Sequence, residues 1–207
     1  TSIQNYVLTA EELVRQGYFV IRMGAVVNEP LRITNPMIID YATTSRSDFM
    51  DIFLCAKCSF FLGSTGGLTA VPRIFRRPVI FDNLVPLCPL QMLSIPAGSL
   101  FIPKKLWLRE HHRFMTFREF LQTWSEEFNG DKHFELIGVD VIENSPEEIL
   151  AATMEMEARL KGTWSTTERN EELQQRFWSL IEATEANLEY RPRMGAKFLS
   201  QNQKLLD

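Results

Sequence analysis

The stretch Ser59 to Pro72, SFFLGSTGGLTAVP, constrains the fold more than any other part of the chain. A short apolar run (Phe60, Phe61, Leu62) meets Gly63, Ser64, Thr65, Gly66 and Gly67, and then a segment able to open a helix. A strand that passes through a small-residue turn into a helix N-terminus points bare backbone N–H groups at one place, where anions bind. The turn is therefore read as a cradle for the phosphates of a nucleotide, with a nucleotide-sugar as the leading candidate.

The neighbouring segments alternate between helical and strand patterns. Ile3, Val7, Ala10 and Val14 recur at helical spacing, with Ser2 as cap and Gly17 as stop. Tyr18 to Met23 reads as a strand closed by Gly24, with Arg22 near its end, and Met37 to Tyr41 as a second strand ending in Asp40. The loop between them, Ala25 to Pro36, carries two prolines. Ser47 caps a helix whose Phe49, Ile52, Phe53 and Ala56 share one face, and Ser59 to Gly63 is the next strand. A helix over Leu68 to Phe75, with Pro72 near its start, leads to a strand over Pro78 to Asp82. This alternation calls for a Rossmann-like parallel sheet with helices on both faces and right-handed crossovers.

Asn83 to Pro103 holds four prolines and is expected to be extended, irregular chain. Lys104 to Arg118 is the one basic cluster, most simply a solvated approach to a helix over Phe117 to Phe128. Phe134 to Ile142 is expected as a last strand. Ser145, Pro146 and Glu148 then form a capping box that opens a helix to about Lys161. From Ser165 onward there is no strand signal. Leu173, Phe177, Ile181, Thr184 and Leu188 mark one amphipathic helix, and Gly195 to Leu206 suggests another. The domain expectation is a Rossmann-like unit over 1–162 and a helical extension over 163–207.

Composition narrows the partners. With 207 residues and 45% hydrophobic content, one core plus an appendage is the natural size. Twenty-six acidic against 22 basic residues, a net charge of −4, argue against a nucleic-acid coat. No apolar run reaches the roughly 18 residues of a membrane span. Three cysteines, an odd number without a secretory leader pattern, suggest a reducing cytoplasm. Cys55 and Cys58 form a C-x-x-C, read as core packing rather than a redox or zinc pair.

In an open parallel sheet, ligands lie outside the carboxyl ends of the strands. The residues at those ends are Arg22, Gly24, Asp40, Tyr41, Ser64, Thr65, Gly66, Gly67, Asp82, Asn83, Glu143 and Asn144. Hydroxyls, small residues, one arginine and carboxylates suit a phosphorylated ribose. The turn lacks the spacing and lysine of a P-loop, no G-x-G-x-x-G follows the first strand, and Ser64 is not framed as G-x-S-x-G. No D-x-D or metal-ligand cluster is present, so a metal-independent site without a cofactor is expected. The plainer alternative is a noncatalytic Rossmann-like module that binds a phosphorylated ligand or a protein partner.

Together, GYFVIRMG (Gly17 to Gly24), IIDYA (Ile38 to Ala42), DFMDIFLCAKCSFFLGSTGGL (Asp48 to Leu68), ENSPEEI (Glu143 to Ile149) and the tail with Phe198 and Leu199 resemble a family of bacterial glycosyltransferases from surface-carbohydrate gene clusters. The resemblance spans nearly the whole chain. It implies a GT-B architecture of two Rossmann-like domains facing across a cleft, with this chain as the C-terminal, donor-binding half. Ser64 to Gly67 would lie at the diphosphate, Arg22 and Gly24 near the phosphates or sugar, and Glu143 with Asn144 near the ribose or base. It also implies a nucleotide-sugar donor as substrate and an acceptor-side N-terminal domain or partner chain. The expected location is the cytoplasm, with contact at the inner face of the membrane left open.

Overall fold

The computed structural model describes residues 2–27, 29–85, 95–96, 98–123, 131–181 and 191–207, with backbone only at 131–133. The protein is α/β, built on an all-parallel four-stranded sheet with helices on both faces, as the alternation requires. After a 3-10 turn at Ile3–Tyr6, α1 (Val7–Arg15) leads through Gly17, at φ +89°, into β1 (Val20–Ile21). β2 (Ile38–Ile39) pairs with β1 in parallel, and the short α2 (Tyr41–Thr44) and α3 (Asp48–Lys57) follow. Ser47 caps α3 by accepting the Met50 N–H at 3.3 Å, as its spacing predicts.

The main sheet runs β3 (Phe61–Gly63), β4 (Val79–Leu84), β5 (Leu100–Pro103) and, at its far edge, a strand from the C-terminal segment. Every residue of β4 and β5 is buried. Strands covered on both faces need continuous apolar runs rather than alternation, which is what PVIF and LFIP supply. The last third of the chain departs from expectation because it adds the strand Arg193–Met194 to this sheet, parallel to β5. Two residues are too few to leave a periodic signal. The Gln174 side chain covers the outer edge, donating to Met194 O at 2.6 Å and accepting from its N–H at 3.2 Å.

Three other expectations are corrected. The basic stretch is not a helix approach but a hairpin of β6 (Lys105–Leu108) and β7 (Arg113–Phe114), with Trp107 edge-on to Phe114 at 5.1 Å. Three of its cations are occupied locally: Lys105 with Glu148 at 2.6 Å, Arg109 with Asp140 at 2.7 Å and Arg113 with Glu119 at 2.5 Å. The strand expected over Phe134 to Ile142 begins as a helix. After α5 (Phe117–Thr123) comes α6 (Asp131–Leu136), which Gly138 ends at φ +72°, and only Val139–Ile142 is a strand, β8. β8 pairs antiparallel with β6, outside the parallel sheet. Likewise, the stretch expected to be irregular from Asn83 to Pro103 is strand at both ends, since β4 continues to Leu84 and β5 spans Leu100–Pro103. Cys88, Trp124, Phe128, Gly130, Thr184 and Leu188 lie outside the described residues.

α7 (Pro146–Leu160) opens on the expected capping box. Ser145 Oγ accepts from Glu148 N–H, while Glu148 Oε2 accepts from Ser145 N–H at 2.9 Å. α1 packs on α7, as does α9 (Ala196–Gln201), while α8 (Glu168–Ser179) reaches the core through Phe177. Phe177 touches Phe101, Phe117 and Trp178 at ring distances of 5.7, 5.3 and 5.3 Å. The strand at Arg193–Met194, here β9, meets α9 at Gly195, where an added Cβ would lie 2.9 Å from Ile102.

Candidate functional site: the seam between two sheets

β1 and β2 form a sheet of their own, and no ladder joins β1 to β3. In a parallel strand alternate N–H groups face opposite edges. Val20 and Arg22 donate to β2, at 2.9 Å each, so the other edge of β1 faces the seam. Near the amino ends the seam is bridged by the Tyr18 and Phe60 rings, edge to face at 6.1 Å. Beyond them lies a cavity of about 730 Å³, lined by α1, β1, α3 and β3 and reaching the turn after β3. This is where a doubly wound sheet places its ligand, at the carboxyl ends beside a break in strand order.

The turn is built as follows. Gly66 N–H donates to Thr69 Oγ1 at 3.0 Å and Thr69 N–H to Gly66 O at 3.2 Å, closing a 3-10 turn over Gly67–Thr69. The helix expected over Leu68 to Phe75 is thereby shortened to α4 (Ala70–Ile74). Pro72 is its third residue, within the first turn, where proline is tolerated. Five residues carry little dipole, so any anion at this turn is held by individual N–H and hydroxyl groups. Among the described residues, the N–H groups of Thr65 and Gly67 meet no acceptor.

Gly66 and Gly67 require glycine for neither packing nor conformation. Neither has positive φ, and a Cβ added to either meets nothing within 4 Å. What glycine leaves there is room for close approach to the backbone from outside. Gly24 differs: at φ +152°, with an added Cβ 2.9 Å from Val27, it is fixed by the chain's own geometry.

Of the sequence candidates, Arg22, Gly24, Ser64, Thr65 and Gly66 line one cavity, with Gly67 next along the turn. Arg22 is already engaged. Its Nη1 donates to Glu29 O at 2.7 Å and lies 3.3 Å from both oxygens of Asp40. Asp40 also accepts from Leu31 N–H and Thr43 Oγ1, each at 2.7 Å. Partial desolvation would raise the Asp40 carboxyl, but the Leu31 N–H, the Thr43 hydroxyl and Arg22 outweigh it and hold it below its ordinary value. Arg22 and Asp40 thus tie the 25–36 loop to the ends of β1 and β2. Tyr41 is buried away from the cavity, its hydroxyl 2.9 Å from Ser47 O and 3.0 Å from Asp51 Oδ1.

Asn83 and Asn144 form a second, buried cluster that does not line the cavity. Asn83 N–H donates to Asn144 Oδ1 at 2.6 Å, Asn144 N–H to Asn83 Oδ1 at 2.7 Å, and Asn144 Nδ2 to Pro103 O at 2.8 Å. The ends of β4, β5 and β8 are clamped together by these bonds. Asn83 sits at φ +51°, a conformation asparagine tolerates better than most residues. Asp82 beside it is fully buried and accepts from Tyr6 Oη and from Asn83 Nδ2 at 2.7 Å. Burial pushes its carboxyl above the ordinary range, and nearby Glu143 adds to the shift. Burial and Asp82 also raise the Tyr6 hydroxyl.

Tyr6 is the residue that sequence reading missed, since it lines the cavity with its ring while its hydroxyl joins the second cluster. Nothing in its local spacing marks it. Cys55 and Cys58 face the cavity as free thiols, both raised by burial, Cys55 to about 11. Among the described residues, no Asp, Glu or His lines the cavity, and no group of three or more His, Cys, Asp or Glu could hold a metal. Likewise, no described helix is long and apolar enough to cross a membrane. Compared with known proteins, the chain matches no family model, no curated protein and no solved structure.

Proposed function

We propose that this chain is the donor-binding portion of a glycosyltransferase. The seam cavity takes a nucleotide-sugar, the diphosphate lies against Ser64 to Gly67, and the sugar passes to an acceptor hydroxyl in surface polysaccharide or glycoconjugate synthesis. The observation that carries the reading is the pair of glycines Gly66, on the cavity wall, and Gly67, next to it along the turn, which neither packing nor backbone conformation requires. A largely apolar cavity with a few polar groups at one end is what a nucleotide needs. Arg22 is neutralised by Asp40, so in this reading the departing diphosphate is stabilised chiefly by backbone N–H and hydroxyl donors, without a metal.

Among the described residues no carboxylate or imidazole, the commonest general bases, lines the cavity. On this reading the base belongs to an acceptor-side domain or partner chain, and this chain binds donor without turning it over. The same observation favours a second reading, a noncatalytic module for a phosphorylated ligand.

Calorimetry with UDP, GDP, ADP and CMP tests the site. At least one is expected to bind, and Gly66→Asp is expected to weaken it by about tenfold or more through like-charge repulsion. Because the new side chain enters open space, the thermal midpoint should not move. Failure of all four to bind, or equal binding by the variant, overturns the proposal. Tighter binding of a nucleotide-sugar than of its nucleoside diphosphate separates the enzymatic reading from the module.

A further inference from the structure

We propose that the free backbone edges at Ile21 and Leu62 read the base of a nucleotide lying in the seam, an inference that rests on the nucleotide reading above. In a parallel sheet one residue directs its N–H and C=O to one neighbour, and the next residue directs both to the other side. Val20 and Arg22 are spent on β2. On β3, Phe61 N–H donates to Pro78 O at 2.9 Å and Gly63 pairs with Phe81, so these two residues are spent on β4. Ile21 and Leu62, lying between, turn theirs to the seam. Among the described residues neither N–H meets an acceptor and neither C=O a donor. Both residues line the cavity and both are half-buried, where an unpaired backbone group needs a partner. A third group is unused: Thr9, 1% exposed on the cavity wall, has a hydroxyl without a hydrogen-bond partner.

The chemistry of the wall selects the occupant. Side-chain amides and carboxylates commonly read base edges, yet among the described residues no Asn, Gln, Asp, Glu or His lines the cavity. Arg22 is held by Asp40 and Glu29 O, and the Tyr6 hydroxyl by Asp82. Recognition of a polar edge therefore falls to the backbone. A guest peptide strand needs several consecutive pairs, whereas β1 and β3 are two and three residues long and each turns one residue of its ladder to the seam. One N–H beside one C=O matches the adjoining acceptor and donor on a base edge. Ser64 lies two residues past Leu62, about 7 Å along an extended chain, so a base at Leu62 and phosphates at the turn are set apart by a distance that a ribose bridges. Val7 and Ala10 of α1 and Leu54 of α3 supply apolar wall for the faces of the ring.

The test follows the amide resonances of the nitrogen-15-labelled chain during titration with UDP, GDP, ADP, CMP and inorganic pyrophosphate. The nucleotide that binds is expected to shift the Ile21 and Leu62 amides and to slow their hydrogen exchange by about tenfold or more. Pyrophosphate should leave both unmoved. Leu62→Pro deletes one of the two donors without touching the bonds to β4, at a strand edge where proline is tolerated. It should weaken the nucleotide by about tenfold and pyrophosphate by less than about twofold. Should the variant melt below the assay temperature, the two amides of the parent decide alone. Nucleotide binding that leaves both amides unmoved and exchanging as before overturns the proposal while the nucleotide reading stands. So does a Leu62→Pro variant that weakens the nucleotide no more than pyrophosphate. Failure of all four nucleotides to bind removes both.

Discussion

Replacing Asn144 with alanine separates a structural clamp from a ligand contact. Asn144 is 1% exposed, and its side chain accepts from Asn83 N–H at 2.6 Å and donates to Pro103 O at 2.8 Å. Truncation leaves both backbone groups buried without partners, at about 1–3 kcal/mol each, so the loss should total about 2–6 kcal/mol. For a chain of this size the thermal midpoint should fall by roughly 4–24 °C. Thr65→Ala, at an exposed turn position, should stay within about 0.5 kcal/mol. Calorimetric or circular-dichroism melts measure both stability changes, and nucleotide titration at low temperature measures the affinity of each variant. A midpoint within about 1 °C of the parent refutes the clamp, more so if nucleotide affinity is lost at the same time. In that case Asn144 would be facing ligand, as its place at a strand end first suggests.

Phe177→Ala, which removes a fully buried ring touching Phe101, Phe117 and Trp178, should cost about 3–5 kcal/mol in a denaturant melt. Arg22→Ala should destabilise the chain by about 1–3 kcal/mol and speed proteolysis within the 25–36 loop, because Glu29 O and Asp40 lose a shared donor. Unchanged cleavage there would mean that the pair does not hold the loop. For Asp82, whose folded carboxyl is raised by burial, the stabilising contribution is full below the ordinary carboxylate value and is lost as pH rises through the folded value. Asp82→Asn should flatten that decline in a series of melts from acid to neutral pH. Glu119 runs the opposite way: Arg113 lowers it to about 2, so its contribution is present above its ordinary value and fades as pH falls towards 2. Glu119→Gln should remove that acid-side loss.

The sequence alone determined the alternation of elements, and with it the parallel sheet. Apolar runs such as Val79 to Phe81, glycine stops such as Gly17 and the Ser47 and Ser145 caps act within a few residues of themselves, so local spacing reveals them. The glycine turn at the end of β3 was legible for the same reason, and its place at the cavity mouth follows from the strand that precedes it. Long-range packing decided the rest. Only the fold could show that Arg22 is held by Asp40, that Asn83 and Asn144 bond to each other across 61 positions, or that Tyr6 reaches Asp82. Only the fold could turn Phe49 and Phe53 outward, since periodicity identifies an apolar face but not what lies opposite it. The edge strand Arg193–Met194 was invisible for a related reason: two residues have no period, and they become a strand only because the exposed edge of β5 offers them partners.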